Sequence, residues 1–117
     1  MTSDGECGGI AAMGIEAKTD KPKALLVAIY IAIADGSIET WEKDDDGDIL
    51  HAVTMNNVQE AWFRPTPETS RALEFKILSA KGESLSAFSY AYHHGKLVQM
   101  LLHHFAADVS SIEATMR

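Results

Sequence analysis

The chain has a single cysteine, Cys7, which leaves no intramolecular disulfide and no zinc-ligand spacing, so a reducing compartment is the simplest setting. Long apolar runs are missing too: none reaches the roughly 18–20 residues that a membrane span requires. Residues 1 to 17 show no basic run ahead of an apolar one, so a signal peptide is not expected and a cytoplasmic location is. Positive charge is scarce. Ten Lys and Arg stand against 17 Asp and Glu, a formal net charge of −7. That balance argues against non-specific binding to nucleic acid or to an anionic membrane, since both need a basic surface.

Catalytic signatures are scarce as well. The chain contains no Gly-x-Ser-x-Gly, no phosphate loop and no Gly-x-Gly-x-x-Gly, and Gly8, Gly9 and Gly14 neither follow a strong strand pattern nor open a helix. Cys7 lies in a Gly-rich stretch without a fixed partner. Neither an enzyme nor a cofactor is expected.

What remains is an ordinary globular composition. With 117 residues, 46% apolar and 23% charged, the chain is long enough for one domain with its own core. Gly5, Gly8, Gly9 and Gly14 mark residues 1–20 as a flexible leader with a weak strand at 10–17, and 21–117 as the folded unit.

The negative charge is concentrated. Asp35, Glu39, Glu42, Asp44, Asp45, Asp46 and Asp48 fall between positions 35 and 48 against the one Lys43, while elsewhere ten acids nearly balance nine bases. Ahead of them, Val27, Ile29, Ile31 and Ile33 alternate with Ala28, Tyr30, Ala32 and Ala34, a period of two with β-branched side chains. With Asp35-Gly36 as a type I′ turn, this predicts a hairpin over about 24–43 in which Ile33 faces Ile38, Ile31 faces Thr40 and Tyr30 faces Trp41. The rival reading of the same residues is a helix with Asp20 as cap, Pro22 in the first turn and Gly36 past the end. In that version Ala34-Asp35-Gly36-Ser37-Ile38, followed by Glu42, resembles the ADG-x-I-x-x-x-E turn of the TerB-like tellurite-resistance domains, which implies a helical, metal-binding fold. The likeness covers nine residues and breaks off at Asp44-Asp45-Asp46-Gly47, where that family runs on into a second helix. It is not adopted.

Further along, Asp45-Asp46-Gly47 suits a tight turn into a third strand, 48–55, with Ile49, His51 and Val53 on one face. Val58, Ala61 and Trp62 suggest a helical turn or two at 56–63, ended by Arg64-Pro65-Thr66-Pro67. Leu73, Phe75 and Ile77 alternate with Glu74 and Lys76, which favours a strand over 72–79 turning at Lys81-Gly82-Glu83, against a rival helix with Thr66 as cap, Pro67 at its first position and Gly82 past its end. Leu97, Val98, Leu101, Leu102, Phe105, Val109, Ile112 and Met116 recur at helical spacing, a helix over 94–115. The sum is an α+β domain, a small antiparallel meander covered by a C-terminal amphipathic helix, with an all-α four-helix domain as the alternative.

Three functional readings follow. The first is a non-catalytic module that meets a basic protein, one of the nucleic-acid-binding class included, through the acidic patch, with Tyr30, Trp41 and Trp62 as aromatic anchors. Inhibitors, chaperones and DNA mimics act in this way. The second is a cation loop: with Gly47 at the sixth position, Asp46, Asp44 and Glu42 fall on the fifth, third and first, but Val53 stands where the closing carboxylate belongs. No metal ligand is assigned on that pattern. The third is a small enzyme built on His51, or on the pairs His93-His94 and His103-His104, with a carboxylate. His93 and His104 share a helix direction but lie about 16 Å apart, too far to hold one ion.

Overall fold

The computed structural model describes residues 14–52 and 55–115. Among them, in chain order, are β1 (Gly14–Lys18), α1 (Pro22–Ala34), β2 (Trp41–Lys43), β3 (Ile49–His51), β4 (Ala61–Thr66), β5 (Ala72–Ser79), α2 (Ala87–His104) and β6 (Ser111–Ala114). The strands form one antiparallel sheet in the order β2-β3-β4-β5-β1-β6. This is the expected α+β class with its meander, β2 to β5; the all-α alternative is excluded by the sheet. No helix among the described residues is long and apolar enough to cross a membrane.

Alternation decides which face of the sheet is covered. Ile15, Ala17, Trp41, Ile49, Phe63, Leu73 and Phe75 are buried together with Leu25 and Ile29 of α1 and Leu97, Met100 and Leu101 of α2, so both helices share one core on one face. Glu16, Lys18, Leu50, Trp62, Arg64, Glu74 and Lys76 take the alternate positions and are partly or fully exposed. The strand expected at 72–79 is present as β5.

Several expectations are corrected. The run 27–34 is part of a helix, so the hairpin at Asp35-Gly36 and the facing pairs Ile33/Ile38, Ile31/Thr40 and Tyr30/Trp41 do not form. Asp35 has φ −90 and caps α1, and Gly36 takes φ +84 just past the end, where a left-handed residue stops a helix. The run is apolar on every side and fits both periods. Pro22 at the start and Gly36 at the end decided between them, burying Pro22, Leu25 and Ile29 at i, i+3 and i+7 and leaving Val27 and Ile31 more than half exposed. The hairpin that does form is β2–β3, closed by residues 44–48, with Trp41 opposite His51 and Lys43 opposite Ile49. Residues 44–47, where the TerB-like pattern runs on into a second helix, form the β2–β3 turn instead.

The segment 56–63 is not helical. It leads into β4, which continues through Pro65; β3 has no residue paired beyond Phe63, so Pro65 sits on a free edge where its missing N–H costs little. The helix at 94–115 is shifted. Ser86 caps α2 by accepting from the Ser89 N–H at 3.0 Å, the helix ends at His104, and 111–114 crosses to the sheet as β6. Val53, Cys7 and Met116 lie outside the described residues. Residues 14–18, within the stretch expected as a leader, form β1, which lies between β5 and β6. Gly14 itself has φ +139, and a side chain there would overlap the Phe75 carbonyl, so no other residue allows that approach of β1 to β5.

Candidate functional site

Five of the seven clustered carboxylates reach solvent: Asp35, Glu39, Glu42, Asp45 and Asp46 are exposed, Asp44 is half-buried and Asp48 is buried. Their scaffold is the β2–β3 turn. One oxygen of Asp44 accepts from the N–H groups of Asp46 at 2.9 Å and Asp48 at 3.0 Å, while the Asp44 N–H donates to the Asp48 carbonyl and the Gly47 N–H to the Asp44 carbonyl. This is the side-chain-to-backbone bonding that makes Asp a turn former. Tyr30, on α1, donates its hydroxyl to the Gly47 carbonyl at 2.5 Å and so ties the turn to the helix. Burial, with Asp48 and Asp44 nearby, pushes the ionisation of that phenol upward, which keeps it a neutral donor.

Asp48 is held by Arg64. The guanidinium donates from Nε to one carboxylate oxygen and from Nη2 to the other, both at 3.0 Å, a bidentate pair whose acid side chain is 6% exposed and whose base is 52% exposed. Asp48 therefore belongs to the framework of the turn, and its charge is cancelled. Asp35 is engaged close to its own backbone. Its carboxylate accepts from the Ser37 hydroxyl and N–H, which holds its ionisation below the ordinary carboxylate value.

The aromatic anchors fall elsewhere. Trp41 is 4% exposed and packs against His51 and Phe63 in the core. Tyr30 is half-buried under Lys43, whose ammonium lies 5.4 Å from the ring centre. Trp62 is half-buried on the open face of the sheet, opposite Leu78.

Oxygen atoms of Asp44, Asp46 and Asp48 lie within 4.8 Å of one another. This trio is displaced by one ligand from the calcium-loop alignment, since Glu42 lies exposed on β2 outside it. Arg64 already engages both oxygens of Asp48, supplying the positive charge that an ion would bring.

No family model, curated protein or solved structure matches this chain. The chemistry of the site is therefore that of its own residues.

The histidines separate into two groups. His93 and His94 are buried. His93 Nε2 donates to the Gln59 carbonyl at 2.6 Å, and Gln59 in turn spans to Ser84, Ser86 and Ser89 at the start of α2, a brace with no sequence motif. His94 Nδ1 donates to the Tyr90 carbonyl at 2.8 Å, its ring stacks on Tyr90, and its Nε2 has no well-formed hydrogen bond among the described residues. Burial lowers the His94 pKa from 6.5, outweighing the Tyr90 and Gly14 backbone groups that would raise it. His51, His103 and His104 line one cleft, with no carboxylate among its described lining residues.

His94 makes the fold sensitive to mild acid. A group whose folded pKa is depressed contributes its stability above the unfolded value and loses it as pH falls below that value. Unfolding midpoints should therefore decline as pH drops below 6.5, before the carboxylates titrate, and the His94→Gln variant should show a flatter dependence between pH 6.5 and about 5. Equal slopes for the two proteins would place the titration elsewhere.

Proposed function

We propose that this chain is a non-catalytic binding module that engages a basic protein, in the manner of an inhibitor, chaperone or DNA-mimic regulator, through the acidic surface around the β2–β3 turn. The observation that carries this reading is a division of labour among the acids. Asp44 and Asp48 brace the turn, which Tyr30 and Arg64 fasten to the body of the protein, and Glu42, Asp45 and Asp46 project from it. A charge array held in place loses little entropy on binding and keeps its field fixed. With Trp41 in the core, the surface acts by steering and charge complementarity rather than by aromatic anchoring.

The test is capture of partners from lysate with a salt-gradient elution, followed by charge reversal at the exposed acids alone: Glu42→Lys, Asp45→Lys and Asp46→Lys together. A basic protein should be released at moderate salt, and the triple variant should bind it roughly tenfold or more weakly with a shallower salt dependence. Unchanged affinity and salt slope would move the interface off this turn. Asp44 and Asp48 are left intact so that loss of binding is not loss of the turn.

A further inference from the structure

The cleft between the β2–β3 edge and the second half of α2 has about 320 Å³ of free volume, at the lower end of the range for small-molecule sites. Tyr92, Lys96, Gln99, Met100 and His103 enter it from α2 at steps of three and four residues, and so occupy one side of the helix. Trp41 and His51, paired across β2–β3, form the facing wall with Thr40 and Ile38.

The charge of this cleft is opposite in sign to that of the chain as a whole. In a chain with 17 acids and ten Lys and Arg, its described lining contains one lysine, three histidines and no carboxylate. The cleft of equal volume beside the start of α1 has one lysine as well, Lys21, but sets two carboxylates, Asp20 and Asp108, beside it. The Lys96 ammonium lies 5.5 Å from the Tyr92 ring centre, at the wall of the cleft. The exposed His103 and His104 imidazoles each carry at least one N–H whatever their charge, and Gln99 and Thr40 add further donors. Half-buried Tyr92 provides apolar surface beside them; Trp41, Ile38 and Met100 also line the cleft but are each at most 4% exposed.

We propose that this cleft binds a small organic anion with a flat apolar body, its negative group held by Lys96, the exposed imidazoles of His103 and His104 and the Gln99 amide, and its ring set against Tyr92. The site is separate from the acidic turn, and either can fail without the other. Because the anion is attracted here and repelled by the Glu42–Asp46 surface, occupancy should be confined to this side of the molecule.

The experiment is a two-dimensional NMR titration of the full chain with 2-naphthoate and, in parallel, with uncharged 2-naphthamide, which has nearly the same shape. Saturable shifts for naphthoate are expected at Lys96, Gln99, His103 and the Trp41 indole N–H, with at least tenfold weaker binding of the amide. Lys96→Met and Gln99→Glu should each weaken naphthoate at least tenfold while the remaining spectrum shows the native fold. Gln99 is exposed, so its variant preserves the test if Lys96→Met perturbs packing. Equal binding of acid and amide, shifts centred on Asp20 and Asp108, or no saturable shift up to millimolar naphthoate would each overturn the proposal.

Discussion

Truncation of Phe63 to alanine is expected to lower the unfolding free energy by about 4 kcal/mol, within the range for removing a buried phenylalanine from a packed core. Phe63 is 1% exposed, and it stands where every layer meets. Its ring lies 6.3 Å from that of Trp41 and 5.5 Å from that of His94, and its backbone is in register with Ile49 on one side and Ile77 on the other. Removing the ring leaves a void bounded by two strands and a helix whose backbone hydrogen bonds prevent them from closing in. Chemical denaturation read by tryptophan fluorescence measures the effect, since Trp41 is a direct neighbour. A loss under about 1.5 kcal/mol would mean that α2 settles into the space and that the packing around His94 yields easily. Since domains of this size have about 5–15 kcal/mol in total, the variant should also have a visibly lower thermal midpoint.

The second large effect is expected at Arg64. Arg64→Leu leaves the buried Asp48 carboxylate without its bidentate partner, a loss of about 2–3 kcal/mol for hydrogen bonds to a charged group. The asymmetry of exposure makes a sharper prediction than the magnitude. The acid is buried and the base is half in water, so Asp48→Asn should cost less than Arg64→Leu, and the double variant should recover part of the loss. Thermal melts of the four proteins complete the cycle. Additive losses would show that the pair is a surface contact with no role in fixing the turn. The comparison also bears on function, because a turn released from Arg64 should present Asp45 and Asp46 less rigidly and bind a basic partner more weakly even with every exposed carboxylate intact.

How legible these features were depends on how local their causes are. The strand at 72–79 was favoured because Leu73, Phe75 and Ile77 alternate with Glu74 and Lys76, while Thr66, Pro67 and Gly82 fitted the boundaries of a helix over the same residues and left two readings open. The core stripe of α2 was readable at Leu97 and Leu101, which recur at helical period. The segment 22–34 was not readable from its period, because almost every residue is apolar and Leu25 and Ile29 satisfy a helix as well as Ile29 and Ile31 satisfy a strand; the terminal Pro22 and Gly36 carried the information. Ile112 extended the helical stripe in sequence yet lies in β6, where an open edge of β1 captured it. No local pattern overrides such long-range pairing. Within the acidic cluster, the sequence shows which residues are charged but not which are used internally. Asp48 differs from Asp46 because Arg64, 16 positions away, reaches the first and not the second. The cleft has the same character: His51 and His103 come from distant elements and meet only through the fold.

The neighbouring of β1 and β6 sets an order of events during synthesis. Ile15 of the first described strand pairs with Ala114 of the last, so that side of β1 is closed only when nearly all of the described chain has been made. At typical translation rates the interval is roughly 5 to 20 seconds, long compared with helix or hairpin formation. Throughout that time the nascent β1 has a hydrogen-bonding edge that any other extended segment can occupy. A ribosome-stalled series truncated before residue 111 should therefore be soluble only with a holdase present, and release of the final strand should mark the step at which the sheet becomes resistant to protease.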